Sequence, residues 1–227
     1  MRSVEFIRNY VKYPAGSCLA VFGDTKVLCT ASLEERVPRF LENTGQGWIS
    51  AEYGMLPGST SGGRKRRPIL KRDGRSTEIQ RLIGRSLRAA VDLEKIPELS
   101  IALDCDVIQA DGGTRTAAIS GAYVALYDAL GRAAEILGTN RDNMLLGQVA
   151  AVSVGIVEDK VICDLDYARD SQAQVDMNVV KRGGEFVEVQ GTGEKDTFSF
   201  SQLQQLLGAA DEGIAYIFRQ QKAALGL

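Results

Sequence analysis

The chain has 227 residues, of which 44% are hydrophobic and 25% are charged, a balance typical of a globular protein and not of a fibre or a disordered tail. No apolar run approaches the roughly 18 residues that a membrane-spanning helix needs, and the start of the chain lacks the apolar segment of a secretory signal. We therefore expect a soluble, cytoplasmic protein. Histidine is absent from the sequence, which excludes an imidazole base and a histidine-rich metal site.

The first half of the chain predicts a hairpin, a third strand and two helices. Period-two alternation indicates the hairpin over residues 17–34, with a turn at Gly23-Asp24-Thr25, and a strand over 48–56. Apolar residues at helical spacing predict a helix of about five turns over 76–95, which Pro97 ends. A strand and an Ala- and Leu-rich helix are expected next, over 99–109 and 116–137.

The second half repeats this pattern of strands followed by a helix. Strands are expected near 149–158 and 160–168, a hairpin near 177–190 with its turn at Gly183-Gly184, and a closing helix from Ser201 to Leu225. Because strands come in runs and helices follow them, the pattern favours an α+β sandwich over a wound parallel sheet. No low-complexity linker separates the halves, so we predict one domain over residues 1–227.

The four cysteines each lie in a β-like run, and no two have the spacing of metal ligands. Such positions are typical of buried thiols, and we expect them to be reduced. The cysteines are Cys18, Cys29, Cys105 and Cys163.

A basic segment stands out against the net charge of −2. Residues 64–75, RKRRPILKRDGR, contain seven basic residues and one acid. Together with the preceding Gly- and Ser-rich stretch they predict a long mobile loop over 57–74. Two explanations of this basic segment are about equally good: it is a solvated loop, or it is a surface that binds along the backbone of a polyanion. The candidate residues for contact with such a backbone are Arg64, Lys65, Arg66, Arg67, Lys71 and Arg72.

Two predicted helices begin with glycine, arginine and a hydroxyl residue. At the second helix, Gly112 and Gly113 allow a tight corner where free N–H groups and the helix dipole favour a phosphate-sized anion, and Arg115 adds a fork of donors. An ordinary glycine turn with a threonine cap explains this stretch equally well. Gly74-Arg75-Ser76 repeats the pattern at the start of the first helix. The N-termini of the two helices, called helix fronts below, could therefore converge on one anion. GSTSGGRK, residues 58–65, has the wrong residues for a P-loop, and we reject that interpretation.

Acidic residues cluster in the segment CDLDYARDSQAQVD, and their oxygens suit Mg²⁺ that bridges to a substrate phosphate. Asp164 and Asp166 should share one strand face, whereas Asp170 and Asp176 can meet only if the link between them bends. On spacing alone a solvated acidic loop is the better explanation. Asp104 and Asp106, on one face of a strand, are a rival pair of candidate metal ligands. A strand with one polar face explains their positions without a metal.

Four long motifs resemble the bacterial ribonuclease PH family, phosphate-dependent 3′ exoribonucleases that trim transfer-RNA precursors. The motifs occur in the family's order and extend over nearly the whole chain. The resemblance implies a β-α-β-α sandwich of mixed sheets packed against helices. The motifs are GQGWISAEYGMLP (45–57), GRSTEIQRLIGRSLRAAVDL (74–93), LDCDVIQADGGTRTAAISGA (103–122) and VDMNVV with EVQGTGE (175–194).

The resemblance also implies the site. It places the family's phosphate-binding residues on Arg75 and on Gly113, Thr114 and Arg115, with orthophosphate as co-substrate. The stretch RDSQAQVDMN places the family's two catalytic, Mg²⁺-associated aspartates on Asp170 and Asp176.

The implied reaction releases the 3′-terminal nucleotide of RNA as a nucleoside diphosphate, and excess diphosphate should drive the reverse polymerisation. The family's homo-hexamer, a trimer of dimers, is implied as well. Two other functions stay open: an RNA-binding ring subunit without chemistry, and a hydrolytic nuclease that releases monophosphates.

Three departures from the family pattern are visible. Arg169 stands where an acid is usual, and Gly193 replaces an alanine. The chain also begins about a dozen residues short of the family's basic start, whose absence could weaken RNA binding or packing between subunits.

Overall fold

The computed structural model describes residues 1–64 and 74–227. Five of the candidate RNA-binding residues lie outside this part of the chain, namely Lys65, Arg66, Arg67, Lys71 and Arg72, as does most of the predicted 57–74 loop.

The first five strands form one sheet. They are β1 (Val4–Arg8), β2 (Gly16–Phe22), β3 (Thr25–Glu34), β4 (Trp48–Met55) and β5 (Ser100–Gln109). Their spatial order is β1-β2-β3-β5-β4, and all neighbours are antiparallel except β4 and β5, which are parallel.

The next four strands form an antiparallel sheet, in which their spatial order is β7-β6-β8-β9. They are β6 (Val149–Val157), β7 (Lys160–Cys163), β8 (Val175–Arg182) and β9 (Glu185–Gly193).

Helices cover both sheets. They are α1 (Gly74–Arg88), α2 (Thr114–Leu137), the short α3 (Tyr167–Asp170) and α4 (Phe200–Leu225). Helix α2 packs against β2, β3 and β5 of the first sheet and against β6 of the second, while α4 packs against β6 and β7 and also against β1. Mixed sheets packed against helices confirm the predicted sandwich. In the described residues, no helix has the length and apolar character needed to cross a bilayer.

Helix α2 lies between the sheets because its residues are small. A Cβ at Gly121 would lie 2.6 Å from the Cβ of Ala20 and 2.9 Å from the Sγ of Cys29, so the helix rests directly on the first sheet. On the other side the Ser120 hydroxyl donates to the carbonyl of Ala151 (3.2 Å) and accepts from its N–H (3.0 Å). These contacts fix the spacing of the two sheets.

Helix α4 is fixed at its start and along its buried face. Ser199 and Gln202 form a reciprocal capping box that satisfies two of the first N–H groups. The fully buried Gln221 donates to the carbonyls of Ser120 (2.9 Å) and Val149 (3.0 Å). Gln221 thereby joins α4 directly to α2 and to the start of β6.

The structure corrects two of the predicted elements and adds a strand. Phe22 pairs with Thr25, so the first hairpin turns on Gly23 and Asp24 alone. Helix α1 ends at Arg88 and does not continue to residue 95, because Val91 bridges to Leu145 and no longer follows the helical path. Strand β1 was not predicted from the sequence.

The prediction of buried thiols is confirmed for three of the four cysteines. The thiols of Cys18, Cys29 and Cys105 are buried, that of Cys163 is half-buried, and all four are free. Burial raises the pKa of Cys18 to about 12 and that of Cys163 to about 11, so both stay protonated at neutral pH.

Replacing Gly121 by Ala should destabilise the fold, because the added methyl group has no space between Ala20 and Cys29. Overpacking of this kind lowers the free energy of unfolding by about 1–3 kcal/mol. The matched control is Gly208→Ala on α4, where an added Cβ meets nothing and alanine's helix propensity should stabilise by up to about 1 kcal/mol. Urea unfolding measures both changes, and equal effects of the two variants would contradict the packing argument.

Candidate active site

A cavity of about 740 Å³ lies where the fronts of α1 and α2 meet the link between β7 and β8. The six residues predicted for phosphate and metal binding all line it: Arg75, Gly113, Thr114, Arg115, Asp170 and Asp176. The structure therefore brings the two arginine-bearing helix fronts and the two aspartates into one place. Thr60, Ser61 and Gly62 line the cavity too, and exposed Arg64 lies two residues beyond Gly62.

The turn before α2 takes its shape from two glycines. Gly112 and Gly113 have φ values of +75° and +63°, a left-handed backbone that favours glycine. A Cβ at Gly112 would lie 2.5 Å from the carbonyl oxygen of Leu165 and 2.8 Å from the nitrogen of Tyr167. The turn thus packs directly on the backbone of residues 165–167, which leads into α3 and Asp170.

Thr114, the first residue of α2, is held by a tyrosine that we did not predict as a site residue. The hydroxyls of Thr114 and Tyr53 are 2.8 Å apart, and both side chains are buried. Burial raises the pKa of Tyr53, so the phenol stays neutral and can serve as a donor. Tyr53 lies in the 45–57 motif, on the core face of β4, and this position could have identified it as a site residue from the sequence.

Arg115 is oriented by residues of two other elements. Its Nη1 donates to the Gln190 side-chain oxygen on β9 (3.1 Å) and lies 3.6 Å from a carboxylate oxygen of Glu78 on α1. Gln190 in turn donates to Glu78 (3.4 Å). Since the Arg115 side chain is only 17% exposed, its guanidinium is held at the cavity and not left in solvent.

The two aspartates share one electrostatic environment with the two arginines. Burial raises the pKa of Asp170, while the charges of Arg75 and Arg115 lower it. Burial raises the pKa of Asp176 to about 6, and the neighbouring charge of Asp170 contributes to this rise. Asp170 ends α3 and Asp176 lies on β8, so the link bends between them as their meeting requires.

The prediction that Asp164 and Asp166 share a strand face is wrong. Strand β7 ends at Cys163, and the following Asp164 is 1% exposed with φ +65°. Asp166 is the N-cap of α3 and accepts from the N–H of Arg169 (2.9 Å). The chain leaves the strand early because these two carboxylates bind partners in other directions.

The rival pair does not belong to the site. Asp104 and Asp106 occupy alternating, less buried positions of β5. Neither belongs to the described residues that line the cavity.

Two departures from the family pattern have visible contacts. Arg169 pairs with Asp166 at 3.4 Å, one turn back on α3, and its side chain is 53% exposed. A Cβ at Gly193 would lie 2.3 Å from the carbonyl oxygen of Asp196, so the segment after β9 folds back where an alanine would obstruct it.

The aspartates fit Mg²⁺ only as a partial ligand set. Among residues 1–64 and 74–227, no cluster of three or more acidic or cysteine side chains could hold a metal alone. Mg²⁺ is commonly bound by one or two carboxylates, with waters and substrate phosphates completing its coordination. Asp170 and Asp176 suit that arrangement, because the negative charge of Glu194 acts on both carboxylates and that of Asp170 also acts on Asp176.

Comparison with known proteins identifies the family. Residues 1–130 match the first domain of the 3′ exoribonuclease family, and residues 147–213 match its second domain. A protein of Corynebacterium kroppenstedtii named ribonuclease PH is 56% identical over 99% of this chain and 89% of that protein. The chain belongs to the 3′ exoribonuclease family. That the two matched regions form one domain stays a prediction.

Two solved structures share the fold. Rice (Oryza sativa) Rrp46 superimposes with a TM-score of 0.76 and 18% identity, over 98% of this chain and 92% of that one. The Archaeoglobus fulgidus exosome with RNA bound to the active site gives a TM-score of 0.78 and 21% identity, over 96% and 88% of the two chains. The predicted fold class is confirmed.

Asp176→Asn should stabilise the protein at high pH. The pKa of Asp176 lies near 6 in the folded protein and 3.8 in a free side chain, so its ionised form costs folding free energy above pH 6. The amide should increase the free energy of unfolding by on the order of 2 kcal/mol at about pH 8, and the gain should disappear as the pH falls below about 4.

Urea unfolding in the presence of a chelator at the two pH values measures this gain. Glu212→Gln, which changes an exposed carboxylate of α4, is the matched control and should give no pH-dependent difference. A gain for Asp176→Asn that is the same at both pH values would contradict the proposed environment of Asp176.

Proposed function

We propose that the chain is a phosphorolytic 3′ exoribonuclease that removes the terminal nucleotides of transfer-RNA precursors as nucleoside diphosphates. One observation supports this most: two arginine-bearing helix fronts and two partly buried aspartates line one cavity. The 56% identity with a protein named ribonuclease PH supports the same activity.

Orthophosphate is the proposed nucleophile, and the front of α2 is suited to bind it. The first backbone bond of this helix runs from the N–H of Ala117 to the carbonyl of Gly113 (3.0 Å), so the N–H groups of residues 114–116 have no partner within the helix. Arg75 and Arg115 line the same cavity and add positive charge to it. Because phosphate is already anionic at pH 7, no protein base is needed to create the nucleophile, which fits a chain without histidine.

Catalysis is then a matter of position and charge. Arg115 is pre-oriented by Gln190 and Glu78, which reduces the entropic cost of holding phosphate in line with the last phosphodiester. Both arginines offset the charge that builds on the phosphoryl group under attack. Mg²⁺ bound by Asp170 and Asp176 would supply further positive charge at the same group. Excess nucleoside diphosphate should drive the reverse reaction, in which RNA is extended.

The RNA strand is proposed to reach the cavity past the segment 60–64. The structural relative from Archaeoglobus fulgidus carries RNA at its active site. In this chain Thr60, Ser61 and Gly62 line the cavity. Arg64 and the basic residues after it would contact the RNA backbone. A homo-hexamer built as a trimer of dimers would add the contributions of several such segments around a shared pore.

One assay separates this function from its two alternatives. RNA is incubated with the protein with and without orthophosphate, and the released nucleotide is identified. We expect nucleoside diphosphate, and only when phosphate is present. Monophosphate without phosphate would indicate a hydrolytic nuclease, and no release under either condition would indicate an RNA-binding subunit without chemistry.

Arg115→Ala should raise the KM for phosphate by about ten- to a hundredfold while RNA affinity stays unchanged, because charge-assisted bonds of this kind contribute about 1.5–3 kcal/mol. The measurement is the initial rate of diphosphate release against phosphate concentration, with RNA affinity from fluorescence anisotropy. Arg132→Ala is the matched control, since Arg132 lies on the same helix and pairs with Glu135 in solvent. Equal loss of RNA affinity and phosphate affinity would contradict the role of Arg115.

A further inference from the structure

Arg2 forms a buried, forked ion pair directly behind the cavity. Its Nε and Nη2 donate to the two carboxylate oxygens of Asp164 at 3.0 and 2.7 Å, and its backbone N–H donates to the same carboxylate (2.9 Å). The Arg2 side chain is 12% exposed and that of Asp164 is 1% exposed. A two-point pair of this kind fixes orientation as well as distance.

The same guanidinium also holds the glycine turn. Its Nη1 donates to the carbonyl of Asp111 (2.5 Å), and a Cβ on Gly113 would lie 3.1 Å from Nη2. Thr25 completes this contact, because its hydroxyl donates to the carbonyl of Gly112 (2.7 Å) and accepts from the N–H of Asp111 (2.9 Å). One side chain from the start of the chain therefore contacts the turn that begins α2.

Asp164 connects this pair to the acidic segment. Its N–H donates to the carbonyl of Ser153 (2.7 Å), and the next N–H, that of Leu165, donates to the Ser153 hydroxyl (3.1 Å). The φ of +65° at Asp164 turns the chain away from β7 and towards α3. Because left-handed backbone is costly for most residues, the ion pair with Arg2 helps to maintain this turn.

We propose that Arg2 is a positioning residue that locks the phosphate-binding turn to the segment carrying Asp170. It contacts both segments and joins them on the side away from the cavity, and it is not among the described residues that line the cavity. The proposal rests on the proposed function, because it assigns Arg2 a part in placing phosphate relative to the aspartates.

Arg2→Lys is the first test, because lysine keeps the charge and loses the fork. We expect the KM for phosphate to rise by about ten- to a hundredfold, because a displacement of roughly 1 Å at a reacting centre has an effect of this size. RNA affinity should stay unchanged.

The second variant, Arg2→Gln with Asp164→Asn, removes both charges together and so leaves no buried carboxylate unpaired. Asparagine also tolerates the left-handed backbone at position 164. This double variant should fold and show the same rise.

Arg8→Lys is the matched control. Arg8 forms a second forked pair, in which its Nε and Nη2 donate to the carboxylate of Asp128, and it also donates to the carbonyl of Ala224. Neither residue belongs to the described cavity lining. Arg8→Lys should lower the unfolding midpoint comparably and leave the KM for phosphate unchanged. Equal effects of Arg8→Lys and Arg2→Lys on KM, or no effect of either, would overturn the positioning role.

Amide hydrogen exchange tests the lock without relying on activity. Arg2→Lys should speed exchange in residues 110–117 and 164–170 together, whereas Arg8→Lys should not. Unchanged exchange in both segments would overturn the inference. A wild-type protein that releases no nucleoside diphosphate would instead refute the proposed function, and this is seen before any variant is made.

Discussion

The site depends on the direct contact between the Gly112–Gly113 turn and the backbone of residues 165–167. The atoms approach so closely that no side chain fits at position 112, where a Cβ would lie 2.5 Å from the oxygen of Leu165. The turn belongs to the helix that covers the first sheet, and residues 165–167 belong to a loop of the second sheet. Their contact places a positively charged helix front beside Asp170, which no single sheet could do.

The chemistry of the cavity follows from its charge balance. Arg75 and Arg115 lower the pKa of Asp170, while burial raises the pKa of both Asp170 and Asp176. Arg115 is held by Gln190 and Glu78, so its positive charge stays at the cavity that the two aspartates also line. The result is a cavity that can receive an anion and a cation together. A reaction that transfers a phosphoryl group needs both, and it needs no histidine.

Much of the site could be predicted from the sequence because glycine, arginine and a hydroxyl residue precede both helix patterns. The repeated pattern suggested that the two helix starts converge on one anion, but spacing carries no information on which loops meet. The family resemblance then assigned both helix starts to one phosphate site. The pair of Arg2 and Asp164 escaped prediction because its members are 162 residues apart. The end of α1 was misplaced because a β-bridge at Val91 overrides the apolar periodicity that continues past Arg88.

The most direct test of the account is the structure of the protein crystallised with orthophosphate. We expect one ion that contacts the guanidinium groups of both Arg75 and Arg115 and the free N–H groups at the front of α2. Such an ion would show that the two helix fronts bind the same phosphate beside Asp170 and Asp176. Separate ions at the two arginines, or an ion bound to one of them and out of reach of the other, would contradict the account.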